Sequence, residues 1–308
     1  MFKALRSIGK VIYAKERAEG AGAVVRRSIG VIGMRNFTPF LMLDHFKVNP
    51  KAGFPDHPHR GQETVTLVIK NYMLHEDFTG KSGVLRPGDL QLMTAGKGIM
   101  HSEMPYSEDG SDVEGIQLWV DLPKELKHSE PRYRDLKREE IPIAKPNDKV
   151  EVKVISGRSY GVESVQELAY TPLDYYWFTV QPEGEFIQKI NPDYNACLYL
   201  LKGNIELETS SGLQRIEKFN NVFFERDGEG IKGRVIGNEP AEFVLIAGKS
   251  LDQPIVQYGP FVETSKTGIH NALFDYQMAS NGFERARGWK SEIADGVDAE
   301  LFNKITKQ

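Results

Sequence analysis

The sequence predicts an all-β protein with two strand-rich halves and a short C-terminal helical segment. First, most apolar runs are short, rich in β-branched or aromatic residues, and bounded by glycine, proline or asparagine, as strands are. Second, a charged segment with two prolines, residues 136–149, separates two blocks of similar size. Third, apolar residues recur at helical spacing near the C-terminus. Many short strands with this punctuation favour β-barrel or sandwich architecture.

The predicted strands share strand length and an apolar, β-branched or aromatic composition. They are residues 64–69, 117–120, 175–180, 197–201, 205–209 and 243–247. The turn Lys202-Gly203-Asn204 separates two of them and is followed by alternating residues, which indicates a hairpin. Both halves repeat the order of turn, apolar strand, glycine turn and strand, which suggests a duplication.

The proline-containing charged segment and the turn residues also predict domain boundaries. We expect an N-terminal barrel at 1–135, a linker at 136–149, a C-terminal barrel at 150–262 and a helical segment with a tail at 263–308. In the last segment, Ala272, Leu273, Tyr276 and Ala279 follow helical spacing. The pair at 281–282, Asn-Gly, stops that pattern.

Composition excludes several classes of partner. The formal net charge is −4, so no overall basic field attracts nucleic acid or an anionic membrane, and we expect neither as a direct partner. No apolar run approaches the roughly 20 residues that span a bilayer. The first ten residues lack the apolar core of a secretory signal, so we expect a protein that is not secreted. The single cysteine, Cys197, excludes an intramolecular disulfide and fits a reducing compartment.

Two short motifs carry most of the chemistry. His57 and His59 form one i, i+2 pair, and His101 and Glu103 form another about forty residues later. Residues two apart on a strand point to the same face, so each pair can present both side chains to one point. Three imidazoles and one carboxylate could then surround a metal ion. The alternative is that these histidines lie on loops without a common partner. Pro58 between them removes a backbone donor, which predicts an edge strand or a barrel mouth.

The types of ligand residue limit which metal ions could bind but do not identify one. Neutral imidazoles bind iron, zinc, copper and nickel, and a carboxylate adds hard-oxygen character. Four protein ligands on an octahedral ion leave two open positions, and a mixed nitrogen and oxygen set with open positions favours non-haem iron. Zinc binds the same ligands tightly and stays an alternative, as do copper and nickel.

The chain resembles the pirin family of the cupin superfamily. The resemblance runs from about residue 11 to about residue 290 and is carried by residues 26–30, 54–61, 63–65, 88–91, 93–96, 101–105, 259–262 and 281–286. A general cupin places its glutamate where Glu63 stands, whereas pirins place the fourth ligand two residues after the last histidine. The resemblance therefore implies metal ligands His57, His59, His101 and Glu103. Asn71 departs from the usual glycine, and asparagine tolerates the same left-handed turn.

The resemblance also implies a fold and two functions. It implies two tandem antiparallel cupin (jelly-roll) β-barrels, a bicupin, in a monomer that carries one Fe(II)/Fe(III) ion in the N-terminal barrel. One implied function is quercetin 2,3-dioxygenase-type cleavage of a flavonol-like small molecule with dioxygen, with Glu103 as ligand and catalytic base. A metal-bound carboxylate is a weaker base, so those two roles compete. The other is a redox-sensing transcriptional coregulator in the nucleus or cytoplasm that acts through a protein partner.

The remaining candidates are fewer. No histidine occurs between His128 and His270, so the second half cannot build a histidine site. We expect His45 to be a wall residue, His75 either to orient a ligand or to lie in a solvated turn, and Arg60 to point away from His59. In the apolar run 197–201, Cys197 is expected to be an inert core residue.

Overall fold

The computed structural model describes residues 4–19, 22–165, 168–210 and 212–307. Across these residues the chain is mostly β-strand, with two α-helices, α1 (Lys266–Met278) and α2 (Ala299–Thr306). The strands are β1 (Ile8–Tyr13), β2 (Glu16–Glu19), β3 (Ala23–Ile29), β4 (Phe40–Val48), β5 (Phe54–His59), β6 (Gln62–Lys70), β7 (Tyr72–Asp77), β8 (Ser82–Leu85), β9 (Leu90–Thr94), β10 (Ile99–Tyr106), β11 (Val113–Asp121), β12 (Arg132–Leu136), β13 (Ile143–Asn147), β14 (Val150–Ser156), β15 (Arg158–Ser159), β16 (Val162–Glu163), β17 (Leu173–Val180), β18 (Glu185–Lys189), β19 (Tyr194–Lys202), β20 (Ile205–Thr209), β21 (Gly212–Ile216), β22 (Asn220–Phe224), β23 (Gly230–Val235), β24 (Ala241–Lys249), β25 (Val256–Tyr258) and β26 (Phe261–Glu263).

The chain divides into two compact units. One takes its described residues from Glu16–Ile29, Phe40–Arg138 and Leu251–Gln308, and it contains all seven histidines; we name it the histidine unit. The other takes its described residues from Met1–Lys15, Gly30–Pro39 and Glu139–Ser250; we name it the histidine-free unit.

Both units have the same sheet topology. The histidine unit pairs a seven-stranded sheet, β12-β9-β6-β11-β4-β3-β2, with a four-stranded sheet, β5-β10-β7-β8. The histidine-free unit has the corresponding sheets β1-β22-β19-β24-β17-β14-β13 and β18-β23-β20-β21. In both four-stranded sheets the first strand along the chain is an edge and pairs with the last. This repeated order confirms two tandem jelly-roll units. Within the described residues, hydrogen bonding does not join the two sheets of a unit into a closed barrel.

The two interiors differ in chemistry. Alternation along β17 sends Tyr176, Phe178 and Val180 into an apolar core in the histidine-free unit. There the rings of Phe178 and Phe243 stack with centroids 4.9 Å apart. In the histidine unit an apolar cluster fills only part of the interior. Its buried members are Ala23, Val25, Phe46, Val48, Val68, Met73, Leu85 and Val113.

The contact-based units differ from the predicted boundaries in two places. β1 pairs with β22, so the start of the chain belongs with the second predicted block. α1 belongs to the histidine unit, against β25 and β26. The segment predicted as a linker contains a short edge strand, β13, which pairs with β14 through an irregular register. An edge strand tolerates Pro146 and exposed charges, so its sequence resembles a linker.

The predicted helical segment begins and ends at clear local signals. The Ser265 side chain caps α1 by accepting a hydrogen bond from the Gly268 amide at 3.0 Å. The helix ends at Ala279, which has a left-handed backbone with φ 50°. None of the helices in the described ranges is long and apolar enough to cross a membrane.

Candidate metal centre

Two paired strands position the three histidines. β5 is the edge strand of its sheet and pairs with β10, which places His57 directly opposite His101 and His59 opposite Ile99. The edge position explains why Pro58 is tolerated. The register with β5 shifts between His101 and Glu103, because β5 has one extra residue there, whereas β10 keeps an unbroken register with β7 from His101 to Tyr106.

The three imidazoles converge on one point. One ring nitrogen from each of His57, His59 and His101 lies within 4.8 Å of the others. The Nε2 atoms of His57 and His101 are 2.9 Å apart. Ring centroids are separated by 4.4 Å for His57 and His101, and by 5.0 Å for each of the other two pairs. The sequence prediction that these three side chains meet therefore agrees with their positions.

The outer ring nitrogens fit a metal-binding tautomer. His57 Nδ1 lies 2.8 Å from the Pro55 carbonyl oxygen, and an Nδ1–H donated there leaves the Nε2 lone pair facing the centre. Gln62 Nε2 lies 2.9 Å from His59 Nδ1. Gln62 Oε1 and His101 Nδ1 are buried without a hydrogen-bond partner among the described residues. Gln62 Nε2 also donates to the Pro260 carbonyl oxygen at 3.0 Å. Rotation of the Gln62 amide would give up that bond but would let Oε1 accept an Nδ1–H from His59, and that tautomer frees Nε2 for a metal.

Burial keeps these histidines neutral. It lowers the pKa of His57 and lowers the pKa values of His59 and His101 well below the ordinary value. Mutual repulsion with His57 lowers the latter two further. A metal needs the unprotonated ring, so lone pairs are available throughout the neutral pH range. The donor set therefore fits a metal ion.

Glu103 lies beside this group but outside it. Its side chain is buried, and Thr66 Oγ1 lies 3.0 Å from its Oε1. Burial raises the pKa of Glu103 to about 7, although the hydrogen bond from Thr66 acts in the opposite direction. The metal-competent group found among the described residues comprises the three histidines without Glu103. Its role as fourth ligand stays a prediction.

Comparisons with known proteins identify the family. The family described as Pirin matches residues 22–120, and the one described as Pirin C-terminal cupin domain matches residues 175–282. A pirin-like protein of Solanum lycopersicum is 43% identical over 292 residues, which covers 95% of this chain and 98% of that protein. Human pirin is 43% identical over 288 residues, which covers 92% of this chain and 97% of that protein. The chain belongs to the pirin family.

A solved structure supports the same fold. A crystal structure titled quercetin 2,3-dioxygenase from Acinetobacter baumannii matches this pirin with a TM-score of 0.82 at 25% sequence identity. The match covers 90% of this chain and 98% of that one. Together with the family matches, it confirms the bicupin fold expected from the sequence.

Polar residues at paired positions on neighbouring strands form a row across the seven-stranded sheet of this pirin. Arg27 donates to Asp44 at 2.7 and 2.6 Å, and Thr66 Oγ1 lies 2.6 Å from Gln117 Oε1. Cross-strand pairing sets the order Arg27, Asp44, Gln117, Thr66, Gln91 and Asp135. Sequence reasoning missed this row, because its members lie on six different strands and only the register brings them together.

The other candidate residues have structural partners. Arg60 is buried, and its guanidinium donates to Lys97 O, Asp275 Oδ2 and Asn281 O, so it is not free to hold a substrate. Glu63 accepts a 2.6 Å hydrogen bond from Thr94.

The remaining histidines lie outside the metal group. His45 contacts Glu114 at 2.6 Å. His75 is buried opposite Glu103 and stacks on Tyr133 at 5.8 Å. Trp119, which sequence reasoning missed, meets the His59 ring edge-on at 5.2 Å.

Substituting Thr66 by valine is expected to weaken metal binding about 10- to 100-fold, the usual effect of removing a partner behind a ligand. The change keeps the shape of the side chain but removes the hydroxyl beside Glu103. Thr64→Val is the matched control, since Thr64 is also buried on the same face of β6. Competition titration of the metal against a chelator measures the metal affinity of both variants. Equal affinities for the two variants would contradict a role for Thr66.

Proposed function

We propose that this pirin is a mononuclear non-haem iron protein that cleaves flavonol-type substrates with dioxygen. The buried three-histidine centre beside Glu103 carries the proposal. The likeness to a structure titled quercetin 2,3-dioxygenase supports the substrate class.

Four side chains would together bind one Fe(II)/Fe(III) ion. His57, His59 and His101 would supply three nitrogens and Glu103 one carboxylate oxygen, a donor set that suits iron and also zinc, copper or nickel. Bound iron supplies Lewis acidity toward a substrate oxygen and one-electron redox chemistry with dioxygen. The histidine-free unit has no such donor set in its sequence. One ion per chain is therefore expected.

Glu103 is the residue placed to move a proton. A flavonol must lose the proton of its enolic hydroxyl before the ring is cleaved. Without a metal, burial raises the pKa of Glu103 to about 7, near the value suited to a general base at neutral pH. A carboxylate bound to iron is a weaker base, so the base role would need Glu103 released from the ion. The Thr66 hydroxyl can donate either to Glu103 or to Gln117, so it can follow a change in the charge of Glu103.

The walls of the centre favour a flat aromatic substrate. Trp119 stands edge-on to His59, and His59 and His101 are almost fully buried. Aromatic and imidazole rings offer apolar faces and exclude water from the reacting atoms. Orientation of the substrate against them lowers the entropic part of the barrier.

Oxygen consumption tests the proposal. We expect Fe(II)-loaded protein to consume dioxygen in proportion to added quercetin, and Glu103→Gln to reduce kcat about 100-fold or more, as removal of a general base does. Glu114→Gln, a change at a glutamate that pairs with His45, is the matched control. Uptake no faster than that of free Fe(II) would refute the enzymatic function. Metal content is measured separately, so loss of iron and loss of turnover are distinguishable.

Metal affinity is expected to depend on pH through Glu103. The metal binds the carboxylate, so protonation below a pKa of about 7 should lower affinity about tenfold per pH unit, and affinity should level off above it. The histidines are neutral over this range because burial lowers their pKa values. Titration of the metal at pH 6 to 8 measures the slope. Glu103→Gln should remove it, and a slope that persists in that variant would contradict the assignment.

A redox-sensing coregulator is the second candidate, and Arg60 favours it. Arg60 follows His59 in the chain, and its guanidinium holds Asp275 of α1 at 2.8 Å. The same helix exposes Phe274 and Met278. A change of charge at the centre could therefore alter a surface that a protein partner would contact, in the nucleus or the cytoplasm. Hydrogen–deuterium exchange of α1 should differ between Fe(II)- and Fe(III)-loaded protein. Identical exchange of α1 in the two oxidation states would show that the charge of the iron does not affect this surface, which would contradict the redox-sensing function.

A further inference from the structure

The histidine-free unit contains a cavity that the proposed reaction does not use. It measures about 950 Å³ and is lined by residues between Ser156 and Tyr194. Three of these, Ile187, Gln188 and Lys189, lie on β18. In the shared topology β18 occupies the place of β5, the strand that carries His57 and His59. The cavity is thus at the counterpart of the histidine centre.

Gln188 has a structural task at this position. It lies on the inner face of β18 between the core residues Phe186 and Ile190. Its Oε1 accepts from Ser159 Oγ at 2.7 Å, and its Nε2 donates to Arg158 O at 2.9 Å. Gln188 therefore holds the β15–β16 hairpin at the cavity, where β5 presents histidines instead.

Tyrosines form much of the cavity wall. Tyr160, Tyr170, Tyr176 and Tyr194 all line it. Tyr160 has a left-handed backbone with φ 46°, which a residue with a Cβ rarely adopts. Its hydroxyl accepts a 2.8 Å hydrogen bond from the Ile187 amide on the β18 edge. This contact keeps an aromatic ring at the rim in spite of the disfavoured backbone.

Asp174 supplies the charge of the site. It lies at the start of β17, on the face that sends Tyr176 and Phe178 inward. Burial raises the pKa of Asp174 to about 6, although a hydrogen bond with Tyr176 acts in the opposite direction, so Asp174 is still ionised in most molecules at pH 7. Among the described residues, no lysine or arginine forms an ion pair with it.

The two cationic side chains that line the cavity are each paired with a glutamate, and one of these, Glu163, also lines the cavity. Arg158 pairs with Glu163 at 3.4 Å, and Lys189 pairs with Glu229 at 3.9 Å. Their side chains are 68% and 69% exposed, so both charges are at the rim in water. The inner charge that a ligand would meet is negative.

We propose that this cavity binds a small organic cation, an ammonium group carried on an apolar or aromatic body. The ring faces of tyrosines attract a cation, and a partly buried carboxylate offers it a charge-assisted hydrogen bond. The apolar body of the ligand would cover Leu168, Pro172 and Pro192, which also line the cavity.

Calorimetric titration of the full chain tests this with three probes of similar size: benzylammonium, benzyl alcohol and benzoate. We expect saturable binding of one benzylammonium per chain, about tenfold tighter than benzyl alcohol, and no binding of benzoate. Asp174→Asn should weaken benzylammonium about tenfold and leave benzyl alcohol unchanged. Asp148→Asn, at an exposed aspartate of the same unit, is the control and should change neither.

The binding experiments also test whether this cavity acts independently of the histidine centre. His101→Ala should leave benzylammonium binding unchanged, because the cavity belongs to the other unit. Equal or tighter binding of benzyl alcohol or benzoate would overturn the proposal, as would no saturable binding or an unchanged affinity in Asp174→Asn. The comparison of three probes on the unmodified protein needs no variant, so a variant that fails to fold does not decide the result.

Discussion

Replacing His101 by alanine is expected to lower metal affinity by far more than 100-fold. About 100-fold is the upper range for removing a partner behind a ligand, and His101 is itself one of the three converging donors. Its Nε2 lies 2.9 Å from that of His57, so its loss opens one whole side of the centre. Metal content after dialysis and a competition titration with a chelator measure the effect.

The same variant separates metal binding from folding. Metal that binds the folded state alone stabilises it by about 2.7 kcal/mol when its free concentration is 100 times Kd. We expect this gain in thermal unfolding of the unmodified protein and no gain in His101→Ala. Without metal the two should differ by the effect of the small cavity and by loss of the contact between the Nε2 atoms of His101 and His57, since His101 Nδ1 has no hydrogen-bond partner to lose.

His45→Ala is the matched control for this experiment. His45 is as well buried as His101 and lies in the same unit, but it pairs with Glu114. Metal affinity should be unchanged in it. If His45→Ala and His101→Ala lost metal equally, the triad would not be the site, and general loosening of the unit would explain both.

Local patterns predicted which histidines share a strand face, whereas the meeting of His101 with His57 and His59 depends on the pairing of β10 with β5. The i, i+2 pairs and Pro58 on β5 are visible in a few consecutive residues, and strand geometry then dictates which side chains share a face. Strand length and glycine-rich turns predicted a β-barrel or sandwich, and the resemblance to pirins implied the jelly-roll fold. β10 is regular from His101 to Glu103, as the i, i+2 spacing predicts, but the extra residue of β5 opposite this step has no such signal, so the position of Glu103 relative to His57 and His59 could not be predicted.

Long-range partners escaped prediction for a physical reason. Arg60 meets Asp275, which is 215 residues away in the chain, and Thr66 meets Gln117 only because β6 and β11 pair in one register. Such contacts depend on topology, and the sequence around one polar residue does not indicate which distant residue it will contact. The pairing of β1 with β22 could not be predicted for the same reason, since nothing in residues 8–13 indicates that partner.

Replacing Arg60 by methionine is expected to destabilise the histidine unit by about 3–5 kcal/mol, because removing one partner of a buried ion pair leaves the other unpaired. Arg60 is 1% exposed and stacks over Phe283 at 4.9 Å. Burial acts to raise the pKa of Asp275, but hydrogen bonds from Arg60 and Asn281 outweigh it and lower that pKa. Methionine keeps the apolar stem and removes each of these donors.

Urea unfolding followed by tryptophan fluorescence measures the loss, since Trp119 and Trp289 lie in the same unit as Arg60. Arg234→Met is the control: Arg234 bonds Glu206 at 2.9 and 2.6 Å but is half exposed, so less than about 1 kcal/mol should be lost. Adding Asp275→Asn to Arg60→Met should recover part of the stability, because no unpaired charge is left. A double variant no more stable than the single one would show that the guanidinium acts through Lys97 O and Asn281 O instead.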